Sequence, residues 1–139
     1  MRIRIKRFDK DLALPAAEPH AAGFDLTCRE AIVIPPHEVK LVPINIAVKI
    51  PEGYFLLLAA RSSTPLRRGL LLANGIGVID PFFNGDKDEI KIQLLNFTDA
   101  AVSVEKGELL TQGMVIKHEA VEWDEVESFG SDGHGGYWA

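Results

Sequence analysis

Ala60-Arg61-Ser62-Ser63-Thr64-Pro65 breaks an apolar run abruptly with an arginine and three hydroxyls. A cation, hydroxyl donors and free backbone N–H groups at the start of a short helix are what a phosphate chain requires. The plainer reading is an N-capped turn beside a surface arginine. Asn74-Gly75-Ile76-Gly77-Val78-Ile79-Asp80 follows, running on into Pro81-Phe82-Phe83-Asn84-Gly85. Glycines here let the backbone approach a ligand closely, and a hairpin could read a base edge with main-chain donors and acceptors. Asp80, at a strand end, is either an acid–base group or an ordinary turn residue. Asp86-Lys87-Asp88-Glu89 is expected to be a solvated turn, with no spacing that demands a metal. His20, His37, His118 and His134 lie in separate segments without metal-ligand spacing, and His37 is expected at a surface turn. Neither a Gly-x-x-x-x-Gly-Lys phosphate loop nor a serine nucleophile elbow is present.

These groups must be carried by strands. Met1–Arg7 alternates basic and apolar residues and reads as a first strand, not a signal peptide, which would continue into an unbroken apolar stretch. Ala31–Ile34, Glu38–Pro43, Ile44–Ile50, Tyr54–Ala60, Leu70–Ala73, Gly77–Ile79, Ile90–Asn96, Ala101–Val104 and Leu109–Lys117 follow as candidate strands with turn signals between them. Tyr54–Ala60 is apolar enough to be covered on both faces. Leu110–His118 is long enough for a helix, but Gly113 and the β-branched Thr111, Val115 and Ile116 favour a strand. Ser63–Arg68 is the one plausible helical piece. The pattern predicts an all-β fold: a sandwich, jelly roll or small barrel. Residues 1–128 form the domain, and 129–139 a glycine-rich C-terminal arm ending in Tyr137-Trp138-Ala139. Such an arm is either a frayed terminus or a flap that closes on a ligand through an aromatic ring.

Composition sets the limits. The 139 residues, 47% apolar and 25% charged, suit one packed domain. No apolar run reaches the roughly 18 residues of a membrane helix. A net charge of −5 argues against a binder of nucleic-acid polymers, while a small anion is still admissible in a pocket of opposite field. Cys28 is the only cysteine, so no intrachain disulfide forms, and a cytoplasmic setting is expected. It reads as a small buried apolar residue.

Taken in order, the motifs resemble those of the trimeric dUTPase family. Ala22-Gly23-Phe24-Asp25-Leu26 resembles the first, Ala60-Arg61-Ser62-Ser63 the second, and Asn74–Asp80 through Gly85 the third. Gly107-Glu108-Leu109-Leu110-Thr111-Gln112 resembles the fourth and Gly133-His134-Gly135-Gly136-Tyr137 the fifth. The resemblance implies a jelly-roll-like distorted β-barrel, a homotrimer with sites at subunit interfaces, and hydrolysis of dUTP to dUMP and pyrophosphate with magnesium. It implies that Asp80 activates the attacking water and that Gln112 helps place the water or a phosphate oxygen. Asp25 would reach a Mg2+ ion through its water shell, as that ion's preference for phosphates and water allows. Arg61, Ser62 and Ser63 would hold phosphates. Asn74, Gly77 and Ile79 would form the uracil pocket, Phe83 would pack on the deoxyribose, and Tyr137 would cap the site.

The chain departs from the family pattern at several positions. Phe83 stands where tyrosine is usual, Leu109 and Asp132 where arginine is usual, and Tyr137-Trp138-Ala139 where Phe-Gly-Ser is usual. Each missing phosphate contact costs on the order of 1.5–3 kcal/mol, and Arg67 or Arg68 is a candidate to compensate from another direction. Two alternatives stay open. One is a non-catalytic nucleotide- or protein-binding module on the same fold, motivated by the missing arginines. The other is a relative of dCTP deaminase, opposed by Gln93 at the position where that enzyme needs a glutamate.

Overall fold

A computed structural model of the chain describes residues 1–131 and Gly133. The fold is all-β and jelly-roll-like, as expected. In chain order the strands are β1 (Arg4–Arg7), β2 (Phe24–Thr27), β3 (Ile32–Ile34), β4 (Val39–Pro43), β5 (Ile46–Lys49), β6 (Tyr54–Ala60), β7 (Leu70–Leu72), β8 (Gly77–Ile79), β9 (Lys91–Asn96), β10 (Val102–Val104) and β11 (Leu109–Lys117). One five-residue helical turn, Thr64–Arg68, interrupts them between β6 and β7. All pairings are antiparallel: β1 with β5, β10 with β3, β4–β9–β7, and β2–β11–β6–β8. Inward residues from every sheet meet in one core, including Leu26, Ile34, Val42, Leu56, Leu58, Leu70, Leu94 and Leu110, none more than 2% exposed.

The four-stranded sheet positions the chemistry. β11 is a strand, and Gly113 shows why. A Cβ at Gly113 would lie 2.7 Å from the Phe24 ring, so the glycine admits that ring between β2 and β11. β2 itself is absent from the expected strands. Its place is set by pairing with β11. β6 differs from expectation too. Leu56 and Leu58 are buried, but the alternate residues Phe55, Leu57 and Ala59 are only half covered. A single copy supplies a core on one face of β6 and little on the other.

Candidate active site

Register brings the first group together. Gln112 on β11 sits opposite Asp25 on β2 and opposite Ala59 on β6. Arg61 continues β6 one residue past its end, its N–H donating to the Leu110 carbonyl at 3.0 Å. Its guanidinium meets the Asp25 carboxylate (Nε to Oδ1, 3.1 Å) and donates from Nη1 to the Leu109 carbonyl at 3.2 Å. Gln112 donates from Nε2 to the Ala60 carbonyl at 3.2 Å. Asp25, Arg61, Ser62 and Gln112 line one open cavity of about 380 Å³. Gly23 is small for a reason: a Cβ there would lie 2.9 Å from Gln112 Oε1. The Arg61–Asp25 pair is more than one-third exposed on both sides, so solvent screens it and a ligand can exchange into it.

Beyond Arg61 the buried Thr64 hydroxyl donates to the Leu110 carbonyl at 2.6 Å and anchors the helical turn to β11. Ser63 occupies the N-cap position but makes no side-chain capping bond, so the plain capped-turn reading fails there. Ser63 does not line the cavity. Arg68 is unavailable as a replacement cation. It pairs with Glu108 at 2.6 Å and also donates to the Ser103 carbonyl, while Arg67 is exposed.

The second group forms around β8. Gly77 pairs with Leu58, and a Cβ at Gly77 would lie 2.9 Å from Leu58 Cδ1 and 3.0 Å from Leu58 Cβ. Its lack of a side chain therefore serves strand packing. Gly75 has φ +75°, which closes the turn at the exposed Asn74. Asp80 leaves the end of β8, and its Oδ1 accepts the Phe82 N–H at 2.9 Å. That bond fixes one carboxylate oxygen and orients the other. Ile79, Asp80 and Phe83 line an open cavity of about 680 Å³, and Phe83 is 39% exposed there. Asn74 and Gly77 lie outside this cavity.

The two groups stand apart within one chain. Ile79 is opposite Leu56, so Asp80 falls level with Phe55, six strand residues from Arg61. At about 3.3 Å per residue that is roughly 20 Å, longer than a triphosphate can bridge. Tyr137, with Asp132 and Trp138, lies outside the described residues.

Two expectations about charge resolve differently. In Asp86-Lys87-Asp88-Glu89, Asp88 accepts the Gly85 N–H at 2.8 Å in an exposed turn, but Glu89 is buried. Glu89 takes two bonds from Arg29, at 2.6 and 2.9 Å, and one from the Asn45 N–H at 3.1 Å. That pairing also holds the Arg29 guanidinium above its ordinary pKa. The cluster is therefore half turn and half anchor. No set of three or more His, Cys, Asp or Glu able to hold a metal occurs among the described residues. His37, at φ +59°, does sit in a surface turn, 2.9 Å from Asp99. Cys28 is fully buried, and burial pushes its thiol up to about 12.

Some residues at these cavities carried no sequence signal. Ala16 bridges to Asp25 (Asp25 N–H to the Ala16 carbonyl, 3.0 Å), and Glu18 lines the Asp25 cavity. Lys87 and Lys91 line the Asp80 cavity. No motif or periodicity marks Ala16 or Glu18, while Lys87 reads only as part of a solvated turn and Lys91 only as a strand residue.

Comparison with known proteins gives one answer. A family profile described as dUTPase matches residues 10–136. The deoxyuridine 5'-triphosphate nucleotidohydrolase of Hydrogenobaculum sp. is 37% identical, over 96% of this chain and 99% of its own. That of Wolinella succinogenes is 35% identical over 97% and 89%. Among solved structures, dUTPase from Streptococcus mutans superposes with TM-score 0.78 at 33% identity, covering 86% of this chain and 98% of its own. Staphylococcus bacteriophage 80alpha dUTPase with dUPNHPP superposes with TM-score 0.81 at 25% identity, covering 94% and 90%.

Proposed function

This chain belongs to the dUTPase family, and on that premise we propose that it hydrolyses dUTP to dUMP and pyrophosphate with Asp80 as the water-activating base. The observation that carries the reading is the setting of Asp80. It sits at a strand end beside Phe83, with one carboxylate oxygen fixed by the Phe82 N–H and the cavity before it. An aspartate so oriented can take a proton from water as that water attacks a phosphorus of the triphosphate, while pyrophosphate leaves. Phe83 offers an aromatic face for the sugar, and Ile79 an apolar wall. Asn74 and the backbone through Gly77 read uracil from the turn before them. Arg61 and Ser62 hold phosphates in the Asp25 cavity with Ser63 at its edge in sequence, Gln112 places the water or a phosphate oxygen, and Tyr137 closes the site.

The site is completed by another copy of the chain. The roughly 20 Å of strand between the Asp80 and Arg61 positions in one chain supports this, since it exceeds the length of a triphosphate. The half-covered face of β6 supports it, as does the exposed segment after β11. There Val121, Trp123, Val126 and Phe129 are 67%, 88%, 50% and 92% exposed, more apolar surface than a solitary chain normally leaves in water. A homotrimer with residues 129–139 as a closing arm accommodates all three.

The residues present fit a magnesium ion brought by the substrate. The described residues hold no all-protein cage, and Asp25 is one half-exposed carboxylate at the phosphate cavity. Magnesium bound by phosphates and water needs little more, and Asp25 would hold it through its water shell. Such an ion would neutralise charge on the triphosphate. Among the described residues, no helix is long and apolar enough to cross a membrane. The buried, reduced Cys28 suits a cytoplasmic setting.

A pyrophosphate-release assay with dUTP, dCTP, dTTP and UTP tests the proposal. Release from dUTP alone is expected. Nucleotide binding with no release from any of the four overturns it, and ammonia from dCTP would indicate deamination instead.

A further inference from the structure

We propose that Lys87 and Lys91 bind the phosphates of the nucleotide from the Asp80 side, supplying positive charge that Leu109 does not. The inference rests on the dUTPase reading of the Asp80 cavity and names further residues for it.

The disposition of cations motivates it. Arg61 is engaged by Asp25 and the Leu109 carbonyl. Arg68 is committed to Glu108 and Ser103. Arg29 is committed to Glu89. Lys87 and Lys91, by contrast, line the cavity of Asp80 and Phe83, and neither ammonium has an ion-pair or hydrogen-bond partner among the described residues. Of the carboxylates around them, Glu89 is committed to Arg29 and the Asn45 N–H, while Asp80 and Asp88 each accept one backbone N–H, from Phe82 and Gly85, and pair with neither lysine. Two free ammonium groups beside an aromatic platform and a positioned aspartate suit a polyanion whose uncharged end rests on the ring.

The positions are not equivalent. Lys91 has its backbone on β9 opposite Pro43. Lys87 sits on the exposed turn after Gly85, a turn closed by Asp88 N–H to the Gly85 carbonyl at 3.1 Å. One lysine thus approaches the cavity from a strand and the other from a turn, each on a flexible four-carbon stem.

The test uses the full chain and compares wild type with Lys87→Gln, Lys91→Gln and the double variant. Binding is measured for α,β-imido-dUTP, deoxyuridine and inorganic pyrophosphate at two ionic strengths. The expected result is a loss of roughly tenfold in affinity per lysine for the triphosphate analogue, as a charge-assisted contact implies. Deoxyuridine affinity stays within twofold, pyrophosphate weakens in parallel with the analogue, and Lys87→Arg and Lys91→Arg restore binding. Both side chains are exposed, so equal melting temperatures check that folding is unaffected. An unchanged analogue affinity in the double variant overturns the proposal, as does an equal loss for deoxyuridine. Wild-type protein that binds neither analogue nor pyrophosphate overturns it too. Wild type that binds pyrophosphate through the lysines but releases none from dUTP leaves them an anion site and sinks the dUTPase reading instead.

Discussion

Asp80→Asn preserves the shape of the carboxylate and removes its ability to accept a proton. The Asn Oδ1 can still take the Phe82 N–H, so the turn is retained. Turnover should fall by at least roughly a hundredfold, the lower range for loss of a general base, while binding of a non-hydrolysable dUTP analogue stays within a few-fold. A near-normal rate would remove Asp80 from the role of base. Cys28 gives a second prediction at this scale. Its thiol is raised to about 12 in the fold from a reference of 9.0. The unfolded chain therefore loses that proton first as pH rises, and the folded chain keeps it. Stability is full below about pH 9 and should decline toward pH 12, by up to roughly 1.4 kcal/mol per unit from this group. Urea unfolding at pH 8.5, 9.5 and 10.5 should show that decline in wild type and a shallower one in Cys28→Ala. Identical slopes would contradict it. Burial of Cys28 was readable from its residue type alone. The commitment of Arg68 to Glu108 was not, because forty residues of sequence separate them and no local pattern links the two.

At the scale of elements, strands were legible where alternation or an apolar run extended over several residues, as in β6 and β11. β2, absent from the expected strands, is placed by its pairing with β11, and it carries Asp25. Sequence order places Asp25, Arg61 and Gln112 in three distant motifs. Only the β2–β11–β6 register, with Gln112 opposite both Asp25 and Ala59, brings them to one cavity. Gly113 is the hinge of that register. Gly113→Ala would press on the Phe24 ring from 2.7 Å and should cost roughly 1–3 kcal/mol by overpacking. It should also weaken nucleotide binding, because the Phe24 ring must turn aside next to Asp25. Denaturant unfolding paired with analogue titration checks this, and an unperturbed variant would mean that the sheet yields freely there. The hairpin bearing Asp80 has its own anchor in Arg29 and Glu89. Glu89 read as part of a solvated acidic cluster because local charge density does not reveal a partner sixty residues away. Arg29→Met leaves the buried Glu89 without its bidentate partner. It should cost about 2–3 kcal/mol, below the range for a fully buried pair because Arg29 itself is part exposed. No loss of unfolding free energy would show the pair to be dispensable.

At the scale of the molecule, the separation of Asp80 from Arg61 is the feature that no motif reveals. Motifs specify residue types and order, but the distance between two ends of β6 emerges only from pairing with β8. Under the proposed function, the consequence is a site that one chain does not complete. Removing residues 131–139 should leave the oligomer seen by light scattering unchanged and lower turnover, since the truncation spares the barrel. An unchanged rate would reduce the segment to a passive tail. The most direct measurement is complementation between two variants that disable opposite ends of β6. Asp80→Asn and Arg61→Gln are each purified, then co-refolded from denaturant as a mixture. Hybrid oligomers contain some sites that pair an intact Asp80 from one chain with an intact Arg61 from another. The mixture should therefore release pyrophosphate from dUTP well above the sum of the two variants refolded alone. Activity no greater than that sum, in oligomers shown to contain both chains, would contradict a site shared between copies.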